Sequence, residues 1–180
     1  MDTMNNSTRL IKVLIIGAIT GMIAGAVMAM FTMLATATYL HMGFFTALYA
    51  IASPLAGQQL LMTSLHQGVF YFAPGAGLVG LVIHMMWSAL FGMIFGLIVY
   101  ATHLKGVLAV IGGMVYGVLV MLLMSFIVAP LVGAPNLLQM LGGLSFTLGH
   151  LMFGLVLGLW PVLRPQDFVS RASRPLRQAA

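Results

Sequence analysis

Two histidines stand in apolar stretches that hold few other groups able to bind a ligand. His84 opens His84-Met85-Met86-Trp87-Ser88-Ala89-Leu90-Phe91-Gly92. His150 opens His150-Leu151-Met152-Phe153-Gly154-Leu155-Val156-Leu157-Gly158. Histidine, methionine, a large aromatic, a small residue and glycine recur at the same offsets. A polar ring inside hydrocarbon is costly, so two in register require a reason. Two neutral imidazoles that meet can ligate a haem iron or a metal. Each can instead donate to a backbone carbonyl, or to Ser88, Ser145 or Thr147. Ser88 lies four residues after His84 and shares its helix face. A hydrogen-bonded packing histidine is the plainer expectation, and cofactor binding at His84 and His150 is the sharper one.

The remaining residues narrow the chemistry by what they lack. Asp2 and Asp167 are the two acidic residues, and both lie outside the apolar segments. A carboxylate proton relay or sodium site inside the spans is therefore excluded. The chain has no cysteine, which removes disulfides, thiolate ligands and thiol nucleophiles. There is no phosphate-binding Walker loop, no His-Glu-x-x-His and no Gly-x-Ser-x-Gly. A non-enzymatic protein with no resident cofactor is expected, with a haem- or metal-binding membrane redox protein using His84 and His150 as the alternative. His41 and His66 fall in a loop, and His103 adjoins Lys105 at a boundary. These three are weaker candidates, and His41, His66 and His84 together match no known ligand spacing. The sixteen methionines include the groups Met28, Met30, Met33 and Met121, Met124. Thioethers suit Cu(I). At helical core spacing, however, they read first as flexible apolar filler.

The elements that must position these side chains are membrane helices. With 62% hydrophobic and 5% charged residues, the chain is far too apolar for a water-soluble domain. Four segments have the length to cross, at residues 10–39, 77–100, 106–131 and 138–163. They form one membrane domain over residues 1–166, followed by a basic tail at 167–180. Arg9 and Lys12 precede the first span, and Lys105 joins the second to the third. Arg164, Arg171, Arg174 and Arg177 follow the fourth. The loops at 40–76 and 132–136 contain no Lys or Arg. The positive-inside rule then places both termini in the cytoplasm. Ala35-Thr36-Ala37 has the look of a signal-peptide cleavage site, but the apolar run before it is too long for an h-region. Residues 40–76 are uncharged and rich in Phe and Tyr. Two short helices on the outer membrane face are expected there, with a re-entrant hairpin as the alternative. The net charge of +5 is spread over span ends, which argues against nucleic acid.

The first and third spans also align. Gly21-Met22-Ile23-Ala24-Gly25 matches Gly113-Met114-Val115-Tyr116-Gly117 without a gap. Two tandem hairpins running in the same direction are expected, related by an axis along the membrane normal. Gly17, Gly21 and Gly25, then Gly92 and Gly96, Gly113 and Gly117, and Gly154 and Gly158 repeat every four residues. That spacing stacks them on one face, where backbones pack closely in lipid. A glycine face left over would serve a homodimer or a larger membrane complex.

Three of these motifs, Ala24-Gly25-Ala26-Val27-Met28, His84-x-x-x-Ser88 and Gly149-His150-Leu151-Met152-Phe153-Gly154 through Gly158, carry a family resemblance. The chain resembles a group of small four-span bacterial and archaeal membrane proteins, a domain-of-unknown-function family. The resemblance implies a four-helix bundle in the cytoplasmic membrane and no activity. The expected role is an accessory subunit or a small-solute pathway in the lipid bilayer.

Overall fold

The computed structural model describes residues 6–66 and 68–164. Those residues form helices and connecting turns, with no strand among them. In order they are α1 (Asn6–Thr38), α2 (Thr46–Ala56), α3 (Gln58–His66), α4 (Pro74–Thr102) and α5 (Gly106–Leu123). Then come α6 (Ala129–Val132), α7 (Leu137–Met140) and α8 (Gly143–Leu163). A π-helical turn, Met124–Val128, joins α5 to α6, so Gly106–Val132 is one continuous apolar rod. Asn6–Thr38, Pro74–Thr102, Gly106–Val132 and Gly143–Leu163 are each long and apolar enough to cross a membrane.

Local chemistry sets most of the boundaries. Pro74 opens α4, where its missing N–H costs nothing and its fixed φ suits the first turn. Gly133 ends α6 at φ 70°, a left-handed cap that glycine adopts without a Cβ penalty. Gly142 at φ 72° separates α7 from α8. The fourth span is therefore shorter than residues 138–163. Residues 138–142 belong to a separate turn and the break after it, because the backbone at Gly142 leaves the helical region.

α1 packs along α4, and α5 packs along α8. α1 also lies against α8, which joins the two pairs. Backbones come very close where these helices cross. A Cβ built on Gly21 would sit 2.8 Å from Gly92 Cα, and one on Gly113 would sit 2.8 Å from Gly158 Cα. A Cβ on Gly17 would meet the Gly92 carbonyl oxygen at 2.6 Å. Between the pairs lies a core of Val13, Ala24, Met28, Phe91, Phe95, Val99, Val120, Phe153 and Leu157. On the outside, Ile15, Ile19, Leu78, Val82, Val115 and Leu119 are exposed, an arrangement suited to hydrocarbon rather than water.

Residues 46–66 do form two short helices, but α2 is not laid loosely on a surface. Ala47, Leu48, Tyr49, Ala50, Ala52 and Ser53 are buried. α2 rests on α4, and its Leu48 carbonyl occupies the space that a Cβ on Gly80 would need. Tyr49, expected at an interface, is 1% exposed. Its hydroxyl donates to Tyr71 O at 3.2 Å and accepts from Ala73 N–H at 2.8 Å. The ring is buried because this one side chain satisfies the turn leading into α4.

Candidate functional site

Residues of α1, α2, α4, α5 and α8, with Met124 of the π turn and Leu137 of α7, line a partly open cavity of about 100 Å³. His84 and His150 both line it. Around them stand the aromatic rings of Trp87, Phe91, Phe146 and Phe153, the thioethers of Met28, Met33 and Met124, and the hydroxyls of Thr32 and Ser88. The two residues that the sequence aligned at a distance of 66 positions thus meet at one chamber.

Each ring is held by a backbone carbonyl. His84 Nε2 lies 3.0 Å from Gly25 O on α1. A carbonyl oxygen only accepts, so Nε2 carries the hydrogen and donates. Gly25 permits this approach, because a Cβ there would collide with the Ser88 side chain and lie 3.5 Å from His84 Nε2. His150 bonds within its own helix, with Nδ1 donating to Phe146 O at 3.0 Å. Its ring also meets the Phe146 ring edge-on, with centroids 4.5 Å apart. The two imidazoles are therefore opposite tautomers. His84 keeps Nδ1 as a lone-pair nitrogen, and His150 keeps Nε2.

The hydroxyls do not compete for those lone pairs. Ser88 Oγ donates to His84 O at 2.7 Å, and Thr32 Oγ1 donates to Met28 O at 2.9 Å. Both are helical back-bonds to the preceding turn. The histidines donate to Gly25 O and Phe146 O rather than to Ser88, Ser145 or Thr147. The chamber therefore offers two neutral nitrogen acceptors in an apolar and thioether wall.

A second cavity of about 70 Å³ adjoins the first and shares Ile51, Trp87, Met124, Leu137 and Phe146 with it. Ser125 lines this one, inside the π-helical turn. Its Oγ is buried without a hydrogen-bond partner, as is Trp160 Nε1. Most other helical hydroxyls, such as Thr20, Thr36 and Ser64, bond back to a carbonyl. The π turn changes the backbone spacing on which that bond depends.

The other candidates are not assembled. Among the described residues, no three of His, Cys, Asp or Glu converge in a way that could hold a metal ion. His41, His66 and His84 therefore do not form a joint site. His103 caps α4 in the left-handed turn toward α5. Arg9 and Lys12 lie in the opening turns of α1, Lys105 in the α4–α5 turn, and Arg164 just after α8. Arg171, Arg174 and Arg177 fall outside the described residues.

Sequence reasoning missed two contributors. Ala47, Leu48 and Ile51 of α2 line the chamber. Their signal was an uncharged, small-residue stretch too short to span. Tyr116 Oη donates to Phe91 O at 2.9 Å, tying α5 to α4. A lone tyrosine amid Gly, Val and Met was its signal.

Four helices long and apolar enough to cross a membrane define the class: the described residues are helical throughout their elements and compatible with a multi-pass membrane protein. No protein family, curated protein or solved structure matches the chain.

Proposed function

We propose that this is a non-enzymatic membrane protein that holds a small solute in the chamber between His84 and His150. The observation that carries it is the meeting of both rings at one cavity of about 100 Å³. That volume is near that of an engineered cavity that admits benzene, ~150 Å³. It is well below the ~300–1,000 Å³ of pockets for drug-sized ligands, which weighs against a haem between the rings.

The scaffold is read as two tandem hairpins, α1 with α4 and α5 with α8. Matched contacts support this. Gly21 faces Ser88 O and Gly92, while Gly113 faces Gly154 O and Gly158, the same partners after the repeat offset. The glycine faces are the packing device within each hairpin. Met28 on α1 lies level with Gly149 on α8, and Thr147 on α8 bonds Met121 on α5. α1 and α5 are read as running in the same direction. The Lys and Arg at span ends favour cytoplasmic termini, and a bacterial or archaeal cytoplasmic membrane is what the family resemblance implies. The likeness to the four-span domain-of-unknown-function family stays part of this reading.

The chain has no cysteine, so single cysteines report access without background. Ala29 lines the chamber, whereas Ala24 is 0% exposed in the core. In purified protein, Ala29→Cys should react with a small neutral methanethiosulfonate and Ala24→Cys should not. An inert Ala29→Cys, in a folded protein, would sink the proposal.

A further inference from the structure

Resting on that chamber, we infer that its solute is a soft monovalent metal ion of the Cu(I) class. The ligands assigned are His84 Nδ1, His150 Nε2 and the Met28 sulfur. The first support is the way both rings are held. Metal-ligating histidines nearly always donate their other N–H to a carboxylate, carbonyl or water, which fixes tautomer and direction. His84 does so to Gly25 O and His150 to Phe146 O, through different nitrogens and from different helices. Each ring is left with one lone pair, and both residues line the same cavity.

The second support places the sulfur. Met28 lies three residues after Gly25, on the same face of α1, so it follows the carbonyl that anchors His84. Its Cγ lies 3.6 Å from where a Cβ on Gly149 would be, beside His150. Met28 thus lines the same chamber as both rings, and it is 9% exposed. Met33 and Met124 also line the chamber, but Met28 is the one that shares a helix face with Gly25, whose carbonyl anchors His84.

The donor set then selects the ion. All three ligands are neutral, and no carboxylate or thiolate lies in any span. Hard divalent cations require oxygen ligands, and structural zinc favours thiolate or several histidines. Thioether with imidazole suits Cu(I). A charge of one is also the least costly to place among neutral ligands.

The test uses purified protein in detergent, with any affinity tag removed, titrated with Ag(I) as a redox-silent stand-in. Calorimetry should show one tightly bound ion per chain, and X-ray absorption should show mixed nitrogen and sulfur neighbours. Met28→Leu and His150→Gln should each weaken binding by about tenfold or more. Met86→Leu, at an exposed position, should not. Met-to-Leu conserves volume, so Met28→Leu keeps the question answerable if His150→Gln fails to fold. Absence of stoichiometric Ag(I), or binding unchanged in Met28→Leu, would overturn the assignment. If Ag(I) fails while Ala29→Cys still labels, the chamber stands and only the metal falls. If both fail, the chamber itself is refuted.

Discussion

His84 Nε2 donates to Gly25 O at 3.0 Å, across 59 residues of sequence, and joins α4 to α1. The bond exists because position 25 has no side chain, and because the Gly25 carbonyl has a second lone pair beyond its helical bond. One glycine thus serves both helix packing and the placement of the site. His84→Leu should lower stability by about 0.5–1.5 kcal/mol, the net worth of a hydrogen bond. Thermal unfolding in detergent reads this, and an unchanged midpoint would deny the bond.

The glycine crossings should be intolerant of a methyl group. At Gly21 and Gly113 the nearest atoms are backbone, which cannot swing aside. Gly21→Ala and Gly113→Ala should each cost about 1–3 kcal/mol by overpacking. Gly75→Ala, with open space around it, should be neutral or stabilising by about 0.5–1 kcal/mol. Equal melting of all three variants would show that the crossings are looser than described.

Ser125 offers the opposite sign. Its buried hydroxyl has no partner, so the folded state bears its desolvation. Ser125→Ala should leave the melting point unchanged or raise it. A loss above about 1 kcal/mol would mean that the hydroxyl is in fact bonded.

Tyr116→Phe removes the bond to Phe91 O that links the two helix pairs. A loss of about 0.5–1.5 kcal/mol is expected. Hydrogen exchange should quicken around Phe91 and Tyr116, while the α1–α4 crossing at Gly21 keeps its protection. Faster exchange throughout the protein would instead mark a general loss of stability.

Orientation can be read with reporter fusions. A fusion after Gly57 should lie outside the cytoplasm, and one at either terminus should lie inside. A cytoplasmic signal at Gly57 would reverse the proposed topology.

Hydropathy over windows of about 20 residues is a local property, so the four spans were legible in the sequence. So was the absence of intramembrane carboxylates and thiols. Helical period alone puts the i, i+4 glycines in one line, so their shared faces were legible too. The start of the fourth span was not legible, because Leu137–Met140 continues the apolar run and the break depends on the backbone at Gly142. Nor could sequence foresee that α2 would pack into the bundle, since its composition suits an interface equally well. Whether His84 and His150 met was likewise outside its reach. Rotation and crossing of α1, α4, α5 and α8 decide which faces turn inward, and contacts remote in sequence set those. The carbonyls of Gly25 and Phe146 then choose each ring's tautomer. The sequence by itself determined the class of environment and the donors available, and the tertiary structure alone decided that two imidazoles and three thioether side chains border the same small space.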